Sequence, residues 1–183
     1  FDGKVIAGTR AKKVRTKSYN AFSSIDFPSP CGNTGPPDSA VSADAADEKP
    51  VRFYEKLSDN VFLLKLIPES AGIASGDFEH YDAIIVESFG VGGIPASIKE
   101  PFYELCQKYP EKLIIMCTQV SHEGSDMTVY EVGHEMKTCA TFSSHTNDPG
   151  AVATKTMWLL ATVRMIMEPG KAFYKPIKLR YGL

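Results

Sequence analysis

Two loops of this 183-residue sequence carry residue types that could do chemistry. The first, residues 118–126, combines hydroxyls, an imidazole and two carboxylates, with Ser121 directly before His122. A serine beside a histidine suggests a nucleophile with its general base. Adjacent residues at a strand end usually point in different directions, however, whereas the members of a catalytic triad converge from separate elements. The sequence therefore favours a polar loop, with Asp126 as a helix cap, over a Ser-His nucleophile.

The second loop, residues 87–95, is rich in glycine, with Gly90, Gly92 and Gly93 close together. Such glycines let backbone N–H groups approach a ligand or another chain closely. The loop lacks the Gly-Lys-Ser/Thr ending of a phosphate loop and the spacing of a dinucleotide-binding fingerprint. Two interpretations stay open, a ligand-contacting loop and a tight turn between a strand and a helix.

Neither a metal nor a cofactor is predicted. His134 and His145 have no cysteine or carboxylate at ligand spacing, and the four cysteines are widely spaced without a Cys-x-x-Cys pair. Cys106 and Cys117 lie in apolar runs, so we expect reduced packing residues, as is usual in the cytoplasm.

Both loops follow predicted strands of a parallel sheet. The apolar run at 60–66 is a candidate for a fully buried strand, and further strands are predicted at 82–86 and 112–117, with a helix over roughly 97–109 between them. Continuous apolar runs that alternate with helices favour parallel pairing, and ligands bind outside the carboxyl ends of such strands. Two further helices are predicted, from Asp126 to about Phe142 and from Ala151 to Met167.

We therefore expect an α/β fold with a three-layer, parallel-sheet domain over residues 51–183. An extended, solvated arm over residues 1–25 with a hairpin-like Asp2-Gly3 turn precedes it. Residues 26–50 are rich in Pro, Gly, Ser, Ala and Asp, which is typical of a linker. The sequence opens on an apolar strand-like segment without a methionine, so we expect it to begin within a domain.

Charge and hydropathy exclude several classes of partner. The formal net charge is −2, and the charged residues are interspersed, so no basic field selects nucleic acid or anionic lipid. No apolar run approaches the ~20 residues that span a bilayer, and no secretory signal is visible.

Two segments together carry a family resemblance. Residues 85–95 read Ile-Val-Glu-Ser-Phe-Gly-Val-Gly-Gly-Ile-Pro, and residues 118–133 contain Thr-Gln, a glycine and Tyr-Glu-Val-Gly. They resemble the C-terminal domain of type I, cytoplasmic-type L-asparaginases, as does the Thr-Lys-Thr-Met-Trp run from Thr154. Order and spacing agree over roughly residues 80–162. Residues 1–25 are similar to the last strand and exit of that family's N-terminal domain.

This resemblance implies hydrolysis of the asparagine side-chain amide to aspartate and ammonia, without a cofactor, by a homo-oligomer in the cytoplasm. The family's threonine nucleophile lies in a Thr-Gly-Gly-Thr-Ile motif, and a Thr-Asp pair with a lysine lies further along the same domain. We find none of these motifs in this sequence. The resemblance therefore implies no catalytic residue in this chain, and the isolated chain is expected to be inactive.

The sequence departs from the family at positions that matter. The resemblance implies substrate-binding positions at Gly92 and Gly93, but Gly93 replaces the asparagine that reaches across the family's dimer. Glu87 stands where an arginine is typical of the allosteric asparagine site, and Val120 where a cysteine is typical, so no regulation by asparagine is predicted. Residues 146–150 replace the family's Asp-Met-Thr-x-Glu approach to a helix.

Two other functions stay open from these departures. One is a non-catalytic binding or assembly module, since Gly93 has no side chain to hydrogen-bond a substrate. The other is the amidohydrolase subunit of a tRNA-dependent amidotransferase, against which the lack of a basic patch weighs mildly.

Overall fold

A four-stranded parallel sheet organises the protein. The computed structural model describes residues 2–6, 8–25, 54–68, 78–90, 93–123, 141–143 and 148–162. Strands β3 (Val61–Lys65), β4 (Ala83–Ser88), β5 (Leu113–Thr118) and β6 (Thr141–Ser143) are neighbours in chain order, and each pair is parallel. The three apolar runs thus form strands close to their predicted bounds, and the prediction of parallel pairing is confirmed.

Two helices cover opposite faces of this sheet. Helix α1 (Ala96–Lys108) buries Phe102 and Leu105 against one face, together with β4 and β5 residues such as Val86 and Met116. Helix α2 (Pro149–Thr162) buries Val152 and Leu159 against the other face. Because β4 and β5 lie between both layers, all six residues of each are buried. The three-layer α/β fold predicted from the sequence is confirmed.

Strand β3 is not fully buried, and this part of the prediction was wrong. It lies at the edge of the described sheet, and Leu63 is 46% exposed. Val61, two residues before it, packs against the core on the α2 side. An apolar run shows that a strand packs against other layers, but it does not show whether a strand pairs along both of its edges.

Helix α2 begins two residues before its predicted start because the preceding turn is its cap. The Oδ1 of Asp148 accepts a hydrogen bond from the N–H of Gly150 at 3.0 Å, and its carbonyl accepts from Val152 at 3.1 Å. Pro149 occupies the first helical position, where no N–H is required. The residues after Thr162 in the predicted helix lie outside the described part of the chain.

The helix predicted from Asp126 to about Phe142 does not reach its expected end. Residues 141–143 form β6, which pairs with β5. The rest of that prediction falls outside the described residues.

A small hairpin precedes the sheet domain. After a short 3-10 helix, Gly8–Arg10, strands β1 (Ala11–Lys13) and β2 (Phe22–Ser24) pair antiparallel. Asp2 and Gly3 have φ angles of 52° and 69°, as the predicted Asp-Gly turn requires. Ala21 and Ile25 are buried, so the expectation of a solvated arm was wrong at the end of the hairpin. A two-stranded hairpin is too small to bury side chains unaided.

No helix within the described ranges is long and apolar enough to cross a membrane.

Candidate functional site

The carboxyl ends of β4 and β5 bring the two predicted loops side by side. Ser88 and Thr118, the last residues of the two strands, are register partners. The hydroxyl of Ser88 donates to the carbonyl of Cys117 at 2.8 Å, and the N–H of Gln119 donates to the carbonyl of Ser88 at 3.0 Å. Both loops therefore leave the sheet from a hydrogen-bonded, buried base, at the edge where parallel sheets bind ligands.

The Thr118 hydroxyl joins one loop to the other. It donates to the carbonyl of Gly90 at 2.5 Å and accepts the N–H of Val120 at 3.1 Å. The side chain is buried, so both roles of the hydroxyl are filled within the protein. Because this hydroxyl contacts both loops, a shift of the loop after β5 would displace the turn between Phe89 and Gly93, here called the glycine turn.

Gln119 ties the ends of three strands together. Its Nε2 donates to the carbonyl of Leu66 at 2.5 Å and to the carbonyl of Glu87 at 3.0 Å. Leu66 directly follows β3 and Glu87 lies in β4, while Gln119 itself follows β5. A side chain that links three strands fixes their relative positions at this edge.

The glycine turn is closed by its own backbone. The N–H of Gly93 donates to the carbonyl of Phe89 at 3.0 Å, and the two residues form an antiparallel bridge. Gly90 has a φ of 48°, in the left-handed region that glycine adopts without strain. A Cβ added at Gly93 would meet only the carbonyl of Phe89, at 3.9 Å. A tight turn, one of the two interpretations left open by the sequence, is present, and a Cβ at Gly93 would meet no close contact.

Glu87 is paired with a lysine from the neighbouring strand. Its Oε2 lies 3.1 Å from the Nζ of Lys65, its register partner on β3. The position that resembles an arginine site in the family therefore holds a carboxylate that is neutralised within this chain. Burial, and to a lesser extent the Glu87 carboxylate, raises the pKa of the Cys117 thiol to about 12, while Lys65 acts in the opposite direction. Such a thiol is inert in the folded protein, which confirms the packing role predicted for Cys117.

Ser121 contacts the hairpin. The Nζ of Lys12, on β1, donates to the Oγ of Ser121 at 3.1 Å. The serine hydroxyl thus acts as an acceptor for a lysine 109 residues away, which agrees with a polar loop better than with a nucleophile.

Several residues considered in the sequence analysis are not among those that the structure describes. Gly92, Asp126, His134 and His145 lie outside the described residues. Within the part that is described, no group of three or more His, Cys, Asp or Glu side chains could hold a metal ion.

Sequence reasoning missed the parts played by Lys12, Lys65 and Gln119. The signal for Gln119 was its place directly after a strand in a Thr-Gln pair. The two lysines carried no signal, because their partners are set by the pairing of distant segments.

A cavity of about 290 Å³ lies apart from these loops. It is lined by residues of the segment before β3 and the end of α2: Tyr54, Glu55, Lys56, Ala161 and Thr162. It shares no lining residue with the two loops and is therefore not part of the candidate site.

Comparison with known proteins identifies relatives for this arrangement. Residues 60–173 match the family model of the glutaminase/asparaginase C-terminal domain. An L-asparaginase of Thermococcus kodakarensis is 29% identical over 189 residues, which cover 97% of this chain and 54% of that protein.

Solved structures agree with this match. The thermostable L-asparaginase from Thermococcus kodakarensis superposes with a TM-score of 0.71 at 27% identity, over 96% of this chain and 54% of that one. L-asparaginase I from Vibrio cholerae has a TM-score of 0.70 at 18% identity, over 97% and 54% of the two chains. At that identity the second likeness shows the fold alone. The chain spans about half the length of the relatives it matches.

Proposed function

The chain belongs to the glutaminase/asparaginase C-terminal domain family, and we propose that it is the C-terminal part of an L-asparaginase-type amidohydrolase. The complete enzyme would hydrolyse L-asparagine to L-aspartate and ammonia. The observation that carries the proposal is that the family match includes both loops at the carboxyl ends of β4 and β5. A relative 29% identical over nearly the whole chain carries the name L-asparaginase.

In this proposal the reaction is divided between segments. Residues 1–25 belong to the N-terminal domain, residues 26–50 form the linker, and residues 51–183 form the C-terminal domain. The threonine nucleophile lies outside this chain, since the sequence contains no Thr-Gly-Gly-Thr-Ile motif. Amide hydrolysis through an acyl-enzyme requires that nucleophile and an oxyanion site. The isolated chain is therefore inactive on asparagine.

The described domain would close the substrate site and support a homo-oligomer. The glycine turn is suited to this role because it lies at the ligand-binding edge of the sheet and is held by Thr118. With Gly93 in place of asparagine, any polar contact made at this position comes from backbone groups. Cys106 and Cys117 are buried outside any disulfide, which supports the proposed cytoplasmic location.

Ammonia release tests the proposal directly. The full-length protein and the isolated 183-residue chain would be assayed on L-asparagine and L-glutamine under the same conditions. We expect hydrolysis by the full-length protein and none by the chain. Substantial hydrolysis by the chain alone would show that the nucleophile is present in it.

A non-catalytic binding or assembly module is the second candidate, favoured by the loss of a side chain at Gly93. A full-length protein that is folded and oligomeric but releases no ammonia from either amide would select this function.

A further inference from the structure

The Lys12–Ser121 contact joins two segments that are distant in sequence. Lys12 lies on β1 of the hairpin, and Ser121 lies three residues after the end of β5. The Nζ–Oγ distance is 3.1 Å, and both side chains are partly buried. Ordering a lysine side chain costs conformational entropy. The half-buried Lys12 therefore makes this contact only while the hairpin and the loop keep a defined position relative to each other.

The loop that Ser121 belongs to is connected in turn to the glycine turn. Val120, directly before Ser121, donates its N–H to the hydroxyl of Thr118, and that hydroxyl donates to the carbonyl of Gly90. Gly90 belongs to the turn that Gly93 closes on Phe89. A continuous series of hydrogen bonds and short backbone segments thus runs from the hairpin to the position proposed to face the substrate.

The loop after β5 contains a residue in an unfavourable backbone conformation. Glu123, two residues after Ser121, has a φ of 75°, in a region that costs a non-glycine residue about 1 kcal/mol or more. Within the described residues after Thr118, the N–H of Gln119 still donates to the carbonyl of Ser88, whereas residues 120–123 belong to no helix or strand. Side-chain contacts therefore contribute to its conformation, and that of Lys12 comes from the hairpin, outside the sheet domain.

We propose that Lys12 is a positioning residue, which holds Ser121 and thereby fixes the loop after β5 and, through Thr118, the glycine turn. This inference rests on the proposed amidohydrolase function for its effect on substrate. Lys12 reaches the turn only through other groups, so its loss weakens the placement of binding elements. Loss of binding that is equal in the ground and transition states raises KM and leaves kcat unchanged.

Steady-state kinetics of the full-length protein on L-asparagine test this role. Lys12→Met removes the donor and keeps the length of the side chain, and Ser121→Ala removes the acceptor. We expect each to raise KM about three- to tenfold, less than the full loss of a charge-assisted hydrogen bond because Lys12 reaches the turn only through other groups, with kcat nearly unchanged. The double variant is expected to be no worse than the worse single variant, because both remove the same contact.

Two further variants separate positioning from a general effect of charge. Lys12→Arg keeps a donor at the same place and is expected to retain most of the affinity. Lys17→Met removes an equal charge from the exposed bend of the same hairpin and is expected to leave KM unchanged. Additive effects of Lys12→Met and Ser121→Ala, or equal effects of Lys12→Met and Lys17→Met, would overturn the proposal.

Amide hydrogen exchange gives a readout that does not depend on activity. In the full-length protein, Lys12→Met is expected to speed exchange at residues 119–123 and at Gly93, while the amides of β4 and β5 exchange at the rate of the unsubstituted protein. Unchanged exchange in both loops would refute the role of Lys12. A protein without amidase activity that still shows the loop-specific change would refute the proposed function and leave the positioning role standing.

Discussion

The ammonium group of Lys65 lies 3.1 Å from the Oε2 of Glu87, and the two residues are direct partners across β3 and β4. The pair is asymmetric, because the Lys65 side chain is 56% exposed and that of Glu87 only 10%. The lysine keeps much of its hydration, whereas the carboxylate depends on the lysine for its neutralisation. Removing the lysine should therefore change the stability of the fold by a different amount than removing the carboxylate.

Lys65→Met should destabilise the fold more than Glu87→Gln. The first change leaves a nearly buried carboxylate without its cation, whereas the second leaves a neutral amide beside a solvated lysine. We expect Lys65→Met to lower the free energy of unfolding by about 1–2 kcal/mol, less than for a fully buried pair because Lys65 is half exposed. Urea denaturation of the full-length protein measures the difference, with Lys17→Met as the exposed control. Equal losses in the two variants would contradict this asymmetry.

Gln119→Glu should destabilise the fold, although it only replaces the NH2 group of the side-chain amide by an oxygen. The Nε2 of Gln119 donates to the carbonyls of Leu66 and Glu87, and a carboxylate would place an acceptor oxygen against both of them. We expect a loss of about 1–2 kcal/mol, since a partly buried charged group faces two acceptors and keeps some of its hydration. Gln107→Glu, on the exposed face of α1, is the matched control and should change stability by less than about 0.5 kcal/mol. Similar midpoints of thermal unfolding for the two variants would show that the Gln119 contacts add little.

The sequence was sufficient for the two central strands of the sheet, because each is a continuous apolar run, but it did not indicate β6, which lies where the end of a helix was predicted. The six residues of β4 and the six of β5 are buried, so their composition follows from their position. The edge position of β3 could not be predicted from its similar composition. Leu63 is as apolar as Leu66, but only the packed layers decide that one is exposed and the other buried.

The candidate site could be located from the sequence, but its internal contacts could not. Two loops after parallel strands must lie at the same edge of the sheet, so their proximity was predictable. The bonds of Gln119 depend on the register of three strands, and that of Lys12 depends on how a hairpin packs on a loop 109 residues later. Residue types alone do not indicate which residues, distant in sequence, come into contact in the fold.

Cys117 should resist alkylation and add a pH dependence to stability. Burial raises its pKa from 9.0 to about 12 in the folded protein, so the unfolded chain loses this proton first as the pH rises. The folded state then binds more protons than the unfolded state, and the free energy of unfolding falls between about pH 9 and pH 12. This contribution is fully present below pH 9 and is lost as the pH passes about 12.

Two measurements check this prediction for Cys117. Iodoacetamide labelling near pH 9, followed by peptide mass spectrometry, should modify Cys117 only after the protein is unfolded. Urea titrations across the same window should show a shallower fall in stability for Cys117→Ala than for the unsubstituted protein. Rapid modification of Cys117 while the circular dichroism spectrum stays native would contradict its inertness.

Gly90 and Gly93 should respond in opposite ways to the same substitution. Gly90 has a left-handed φ of 48°, so Gly90→Ala forces a Cβ into a disfavoured conformation and should cost about 1 kcal/mol. Gly93 lacks such a φ, and an added Cβ meets only an ordinary contact of 3.9 Å. Gly93→Ala should therefore be neutral or stabilise the fold by up to about 1 kcal/mol, because it restricts the unfolded chain. Thermal unfolding of the two variants in parallel measures this contrast.

Gly93→Asn extends the same reasoning to function. A Cβ at this position meets no close contact, so we expect the variant to fold, which circular dichroism and thermal unfolding beside Gly93→Ala would check. If the glycine turn faces an amide substrate, the new carboxamide adds a hydrogen-bonding group there, and kcat/KM for L-asparagine in the full-length protein should rise about three- to tenfold. Gly93→Leu, which is similar in size but apolar, controls for the effect of bulk. Equal activity of the Asn and Leu variants, both folded, would place the substrate away from this turn.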